Sequence, residues 1–209
     1  MKHKAGLGFT PTDFAVFKVE GFSARMQEIY THVRPKLVRL GAELAPELAR
    51  ELHLEFFPHV ARHARRTVNP PPETWAAFGP SPKGYKRYGY LALCISGVGL
   101  HARMVVKAEA DGRQEMARGF RSEAARLAKS LRGTAIARYD KWDFNALPAE
   151  TAADDELFTA LGEGLGKKTG AIDLGFGWSV RDALRLDRAE LLDAYRELEP
   201  VYRIVRAAA

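Results

Sequence analysis

Apolar residues recur every third or fourth position through the first quarter of the chain and then in short runs rich in strand formers, bounded by turn residues, through its middle, a pattern that predicts helices followed by strands. Thr10-Pro11-Thr12-Asp13 supplies a hydroxyl cap, a proline where no N–H is needed and an acid in the first turn. A short helix is therefore expected through Phe17, with Phe14 and Phe17 on its inner face. Gly21 marks a turn, and Ser23 is placed to cap a longer helix whose Met26, Ile29, Tyr30 and Val33 form a core stripe. Pro35 lacks an N–H and is expected to end or kink that helix. A further segment reaches Leu40 and stops at Gly41, and Pro46 opens another with Leu48 and Leu52 inward.

From Phe56 the pattern changes. As a strand, Phe57, His59, Ala61 and His63 share one face; as a helix, His59 and His63 are neighbours at i and i+4. Both readings bring the two imidazoles together, and the aromatic start and Pro-rich exit favour the strand. Residues 74–78 are a second strand, closed by Gly79-Pro80-Ser81-Pro82. Residues 88–95 and 100–108 form a hairpin around Ser96-Gly97-Val98-Gly99. Asp111-Gly112 then turns the chain into a helix over 114–131, with Met116, Phe120, Ala124, Leu127 and Leu131 on one stripe and Gly133 at its end. A strand over 134–139, a loop over 140–148 containing Trp142, a helix over 154–165 and a Gly-punctuated strand over 171–178 follow. A helix over 187–206, opened by the box Asp187-Arg188-Ala189-Glu190, completes the pattern. Helices, then a hairpin-rich middle, then alternating elements predict an α+β fold: a mainly antiparallel central sheet flanked by helices, with a helical N-terminal quarter, as one domain over residues 1–209.

Composition narrows the class. The chain is 46% hydrophobic and 28% charged, which is globular and excludes disorder as its general state. Its single Cys94 lies in the apolar run Leu91-Ala92-Leu93-Cys94-Ile95, where it reads as a packing residue. With one cysteine, no apolar stretch after Met1-Lys2-His3-Lys4 and no run near the ~20 residues that span a bilayer, a cytoplasmic protein without a membrane partner is expected.

Charge changes the picture more. Residues 59–90 carry Arg62, Arg65, Arg66, Lys83, Lys86 and Arg87 against the single acid Glu73, a net +5 of the chain's formal +6. Interleaved are Trp75, Tyr85, Tyr88, Tyr90, two histidines and the rigid Asn69-Pro70-Pro71-Pro72. An Arg fork beside imidazoles suits phosphate or carboxylate. The candidate site is therefore His59, His63, Arg65, Arg66, Trp75, Tyr85 and Lys86, binding a small anionic or nucleotide-like ligand. On a strand Arg65 and Arg66 point to opposite faces, Arg65 sharing the parity of the histidines; either arginine also suits holding the Pro-rich turn through backbone carbonyls.

Other chemistries are less well supplied. An enzyme acting on a phosphorylated or carboxylate substrate would use His59 or His63 as acid/base beside an arginine, but no nucleophile motif stands out. Lys83-Gly84-Tyr85-Lys86-Arg87-Tyr88 mixes cations and rings as single-strand nucleic-acid binders do, and equally as a solvated strand edge does. For zinc, His59 and His63 need a third or fourth ligand, for which Glu55, His101 and Cys94 are the candidates, and no motif specifies a metal or a cofactor. Gly162-Glu163-Gly164-Leu165-Gly166-Lys167-Lys168-Thr169 resembles a phosphate loop but has the wrong spacing and follows a helix, so it reads as a helix C-terminus. The last helix carries Leu191, Leu192, Tyr195, Leu198, Val201, Tyr202 and Val205, a stripe wide enough for a partner surface beside its core contact.

One longer pattern is familiar. Asp13-Phe14, Gly21-Phe22, Ala24-Arg25-Met26 and Arg34-Pro35-Lys36 resemble the opening of the YktB-like family of bacterial proteins of unknown function. His63-Ala64-Arg65-Arg66-Thr67-Val68-Asn69-Pro70-Pro71, Thr74-Trp75 and Gly84-Tyr85-Lys86 resemble its centre, and Leu157-Phe158, Lys167-Lys168 and Tyr202-Arg203 its end. The likeness is thinnest between 107 and 152. It implies a soluble single-domain α+β protein and supplies no substrate, cofactor or catalytic residue.

Overall fold

The computed structural model describes residues 6–64 and 66–208, and Arg65 lies outside them. A helical arm comes first. Helix α1 (Pro11–Ala15) opens on a capping box between Thr10 and Asp13, and a 3-10 turn (Val16–Lys18) continues it through Phe17. Helix α2 (Phe22–Glu28) starts one residue before Ser23, with Gly21 as its N-cap at φ 80°, a conformation that costs glycine little. A π-helical turn (Ile29–Val33) then leads directly into α3 (Arg34–Leu52).

Pro35 neither ends the helix nor starts a separate segment. It falls in the first turn of α3, directly after the wide turn, where the chain needs no α-type N–H from it. Gly41 does not stop the helix either. A Cβ there would stand 3.3 Å from Pro58 Cβ and 3.8 Å from Ala76 Cβ, so this glycine lets α3 lie close on the sheet. The wide turn also removes Tyr30 from the predicted stripe: Met26, Ile29 and Val33 are buried, whereas Tyr30 is 45% exposed.

The sheet has seven strands, β1 (Phe57–Val60), β2 (Glu73–Gly79), β3 (Tyr90–Ser96), β4 (Gly99–Val106), β5 (Ala135–Arg138), β6 (Glu150–Ala152) and β7 (Ile172–Ser179). Every pairing is antiparallel, in the spatial order β1-β2-β3-β4-β7-β5-β6. The predicted hairpin is β3–β4, with Ser96 opposite Gly99. The strand expected from Phe56 onward is shorter than its pattern suggests and ends at Val60. The short β6 falls within a stretch with no strand pattern.

Helices α4 (Arg113–Ser122), α5 (Ala124–Ser130), α6 (Asp155–Gly166), α7 (Val180–Ala183) and α8 (Arg188–Ala207) complete the chain. The single helix expected over 114–131 is two, broken at Glu123 with φ −103° and ψ 5°. All five residues of the predicted stripe are nevertheless buried. Helix α8 runs through Pro200, is capped by the Asp187/Glu190 box, and buries Leu191, Tyr195, Leu198, Val201, Tyr202 and Val205.

Alternation along the strands divides the core. Ala76, Phe78, Leu91, Leu93, Ile95, Leu100, Ala102, Met104 and Leu174 pack under the helices. The opposite face carries Ala77, Tyr90, Ala92, Cys94 and Val105, against which Trp75 and Tyr85 pack. No helix among the described residues is long and apolar enough to cross a membrane.

β1 is an edge strand, paired with β2 alone. Ala61 N–H donates to Trp75 O at 3.0 Å, so by strand parity the main-chain groups of Phe57 and His59 also face β2, and those of Pro58 and Val60 face outward. Pro58 therefore leaves the free edge without a donor where a strand would otherwise offer one.

Candidate functional site

Beyond Val60 the chain leaves the sheet through a tight turn. His63 takes a left-handed conformation at φ 50°, and Arg66 N–H donates to His63 O at 2.9 Å. Three side chains of the helical arm hold this segment by its carbonyls. Arg34 Nη1 donates to Ala61 O at 2.8 Å, Tyr30 Oη to Arg62 O at 3.1 Å, and Arg25 Nη1 to Pro71 O at 3.2 Å. Carbonyl ties of the kind that sequence reasoning weighed for Arg65 or Arg66 thus come from the arm, and the Arg66 side chain makes none among the described residues.

Against the free edge of β1 lies a cavity of about 920 Å³, walled by α3 on one side and the loop over 82–86 on the other. Of the seven predicted residues, His59, His63, Arg66, Trp75, Tyr85 and Lys86 all line it, and Arg65 lies outside the described residues. His59 stands on β1, and His63 in the turn beyond it.

Four rings make one continuous wall. His59 and Tyr85 have centroids 5.4 Å apart, Trp75 Nε1 donates to Tyr85 Oη at 3.1 Å, and Trp75 meets His63 edge-on at 5.4 Å. Because Ser81 O only accepts, its 2.8 Å contact with His59 Nε2 puts the proton of a neutral ring on that nitrogen and leaves Nδ1 as an acceptor. His63 Nε2 is 3.1 Å from the buried Thr74 Oγ1.

The lining holds five Lys or Arg and two His, and among the described residues no Asp or Glu. Arg34 is held by Ala61 O, but the side chains of Arg62, Arg66, Lys83 and Lys86 form no hydrogen bond or ion pair among the described residues. His63 registers this field. Burial, reinforced by Arg66, Lys86 and Arg34, pushes its imidazole down to about 4, so it is neutral at neutral pH. Burial also pushes the Tyr85 hydroxyl up. The arrangement can accept a polyanion through exposed cations interleaved with rings, the anion exchanging places with the water on their donors.

The remaining candidate chemistries are less concentrated. Arg87 turns away to pair with Asp111 at 2.8 Å, and residues 80–89 form a loop instead of a strand. The run after Gly162 ends α6, and Arg113 gathers its carbonyls by donating to Lys167 O, Lys168 O and Gly170 O. Among the described residues no group of three or more His, Cys, Asp or Glu is placed to hold a metal ion.

The model of a bacterial domain of unknown function, DUF1054, matches residues 9–202. The chain belongs to the DUF1054 family. It is 32% identical over 201 residues to a UPF0637 protein of Lysinibacillus sphaericus, covering 94% of this chain and 95% of that one. A UPF0637 protein of Bacillus velezensis is 29% identical over 202 residues, covering 95% of this chain and 96% of its own. A third, from Staphylococcus haemolyticus, is 33% identical over 184 residues, covering 88% and 90%. None of these names carries an activity.

In this DUF1054 protein, sequence reasoning left Arg34, Arg62 and Lys83 out of the site. Arg62 and Lys83 were visible as part of the local charge; Arg34 was not, because only the fold carries α3 across to β1. A second polar cluster on the sheet also went unnoticed. Arg103, 2% exposed, pairs with Glu73 and lies 3.2 Å from Asp173, with the Tyr139 ring 4.7 Å from its guanidinium carbon. Burial, against the opposing pull of Arg103, pushes the Asp173 carboxyl up to about 6. Next to it Ser96, His101 and Tyr139 form a buried chain at 3.1 and 3.3 Å. A charged residue, Arg103, inside the strand-like run at 100–108 was the available signal.

Proposed function

We propose that the protein binds a small anionic or nucleotide-like ligand in the cavity along the free edge of β1, in the reducing cytoplasm that its lone buried thiol suits. The observation carrying this reading is the acid-free lining with four cations that have no partner among the described residues. Single-sign charge in a concave, partly apolar site concentrates counter-ions and holds them by charge-assisted bonds. The turn of Arg87 toward Asp111, and the use of Tyr85 in the ring wall, favour a compact ligand over a nucleic-acid strand.

Native mass spectrometry of freshly purified protein tests this. The expected result is a non-covalent anionic adduct, or saturable uptake from a panel of phosphate, citrate and AMP. Arg66→Ala and Lys86→Ala each weaken it by about tenfold to a hundredfold, the worth of one charge-assisted hydrogen bond. An adduct retained at full occupancy in the double variant, or no uptake of any anion, overturns the reading.

A second reading, an enzyme acting on a phosphorylated or carboxylate substrate, is favoured by His59. Its Nε2–H is committed to Ser81 O, which leaves Nδ1 free to take a proton. Turnover abolished in His59→Gln with ligand uptake retained would support it.

A further inference from the structure

Building on that binding reading, we infer that the ligand is an organic ester of two or more linked phosphoryl groups, taken into the cavity without a divalent cation. Size is the first argument. A volume of about 920 Å³ lies near the top of the range for small-molecule sites, about 300–1,000 Å³, and a single phosphate or carboxylate would leave most of it unfilled.

Charge placement is the second. The unpaired cations sit on two separate stretches, Arg62 and Arg66 on the turn after β1, Lys83 and Lys86 on the loop before β3. A single phosphate brings at most about two negative charges to these four cations. Linked phosphoryl groups spread their charge over several ångströms and offer oxygens to both. The helix-side wall supplies a different chemistry, with Val38, Ala42 and Pro58 forming an apolar strip and Val38 left 49% exposed. That strip and the four-ring wall fit the organic part of an ester.

The third argument concerns the metal that usually accompanies such ligands. Magnesium is held in most phosphate sites by one or two protein carboxylates in addition to the phosphates. The described lining offers none, and its Arg and Lys already occupy the role of neutralising the oxygens. A magnesium ion on the ligand would cancel the charge these side chains are placed to meet and compete for the same oxygens.

Titration calorimetry on the full chain decides the matter, with phosphate, pyrophosphate, AMP and ADP as probes, each in EDTA and in excess Mg²⁺. The expected result is that pyrophosphate binds about tenfold or more tightly than phosphate, and ADP than AMP, for at least one added charge-assisted bond. ADP binds more tightly than pyrophosphate, Mg²⁺ weakens both, and Arg66→Ala or Lys86→Ala narrows the gap between ADP and AMP. Equal affinity for phosphate and pyrophosphate, or tightening by Mg²⁺, overturns the inference while leaving anion binding in place; ADP weaker than pyrophosphate removes its organic part. Failure of all four probes to bind counts against the underlying reading instead.

Discussion

His63 is neutral because it is half-buried and its surroundings are cationic, and this gives it a pH signature. The unfolded chain takes up this proton near pH 6.5 and the folded chain only near 4. Stability from this group is therefore fully present above about pH 6.5 and is lost as pH falls toward 4. Asp173 acts in the opposite sense: its folded-state value of about 6 means that its contribution is present at low pH and is lost as pH rises through that value. The two are separated by comparing the wild type with His63→Gln in urea melts between neutrality and about pH 4. The variant should lose less stability on acidification, and equal losses would contradict the assignment. An anion in the cavity should raise the His63 value, so the wild type should gain affinity on acidification relative to His63→Gln. On the second sheet face, Arg103→Met leaves the partly buried Glu73 and Asp173 without their shared cation, at a cost of about 3 kcal/mol or less in urea denaturation. Adding Glu73→Gln and Asp173→Asn should recover part of that loss, since no charge is then stranded.

Among the elements, the π-helical turn at Ile29–Val33 decides where the arm points. A turn closed at i+5 holds one residue more than an α turn, and one residue is worth about 100° of rotation around the axis. Deleting the exposed Thr31 should restore α-helical register, leave α3 seated on the sheet, and swing Arg25 and Tyr30 off the carbonyls of Pro71 and Arg62. Hydrogen exchange and limited proteolysis should then show residues 61–71 losing protection; unchanged protection would mean that the side-chain ties do not hold the turn. This element also marks the limit of sequence reading. Caps, stripes and turns placed α1, the β3–β4 hairpin, α6, β7 and α8 within a few residues, because each rests on local chemistry. Pro35 and Gly41 misled because their effects depend on what lies beside them: a wide turn that spares the proline its N–H, and a strand residue, Pro58, that needs the glycine's missing side chain. Six of the seven proposed site residues fell on one cavity because they are close in sequence, and Arg34 escaped notice because it arrives from α3.

At the level of the molecule, one antiparallel sheet carries two different covers. Helices bury one face with aliphatic side chains. On the other, the loop over 80–89 brings Tyr85 against Trp75, and the segment over 139–147 brings Tyr139 and Trp142 against His101 and Arg103. Titratable groups collect on the loop-covered face and at the β1 edge, while the helix-covered face does the apolar packing. Both ends of the sheet are blunt, one a three-residue strand that is exposed throughout, the other β1 with Pro58 turned outward. Two copies approaching edge to edge along β1 would find two carbonyls but only one donor, the Val60 N–H, on each edge, too little to seed a growing cross-copy ribbon. Concentrated solutions should therefore stay free of fibrous association. Pro58→Val, by completing the row of donors, should raise light scattering with time at unchanged fold, and this one ring would then prove to be what keeps neighbouring molecules apart.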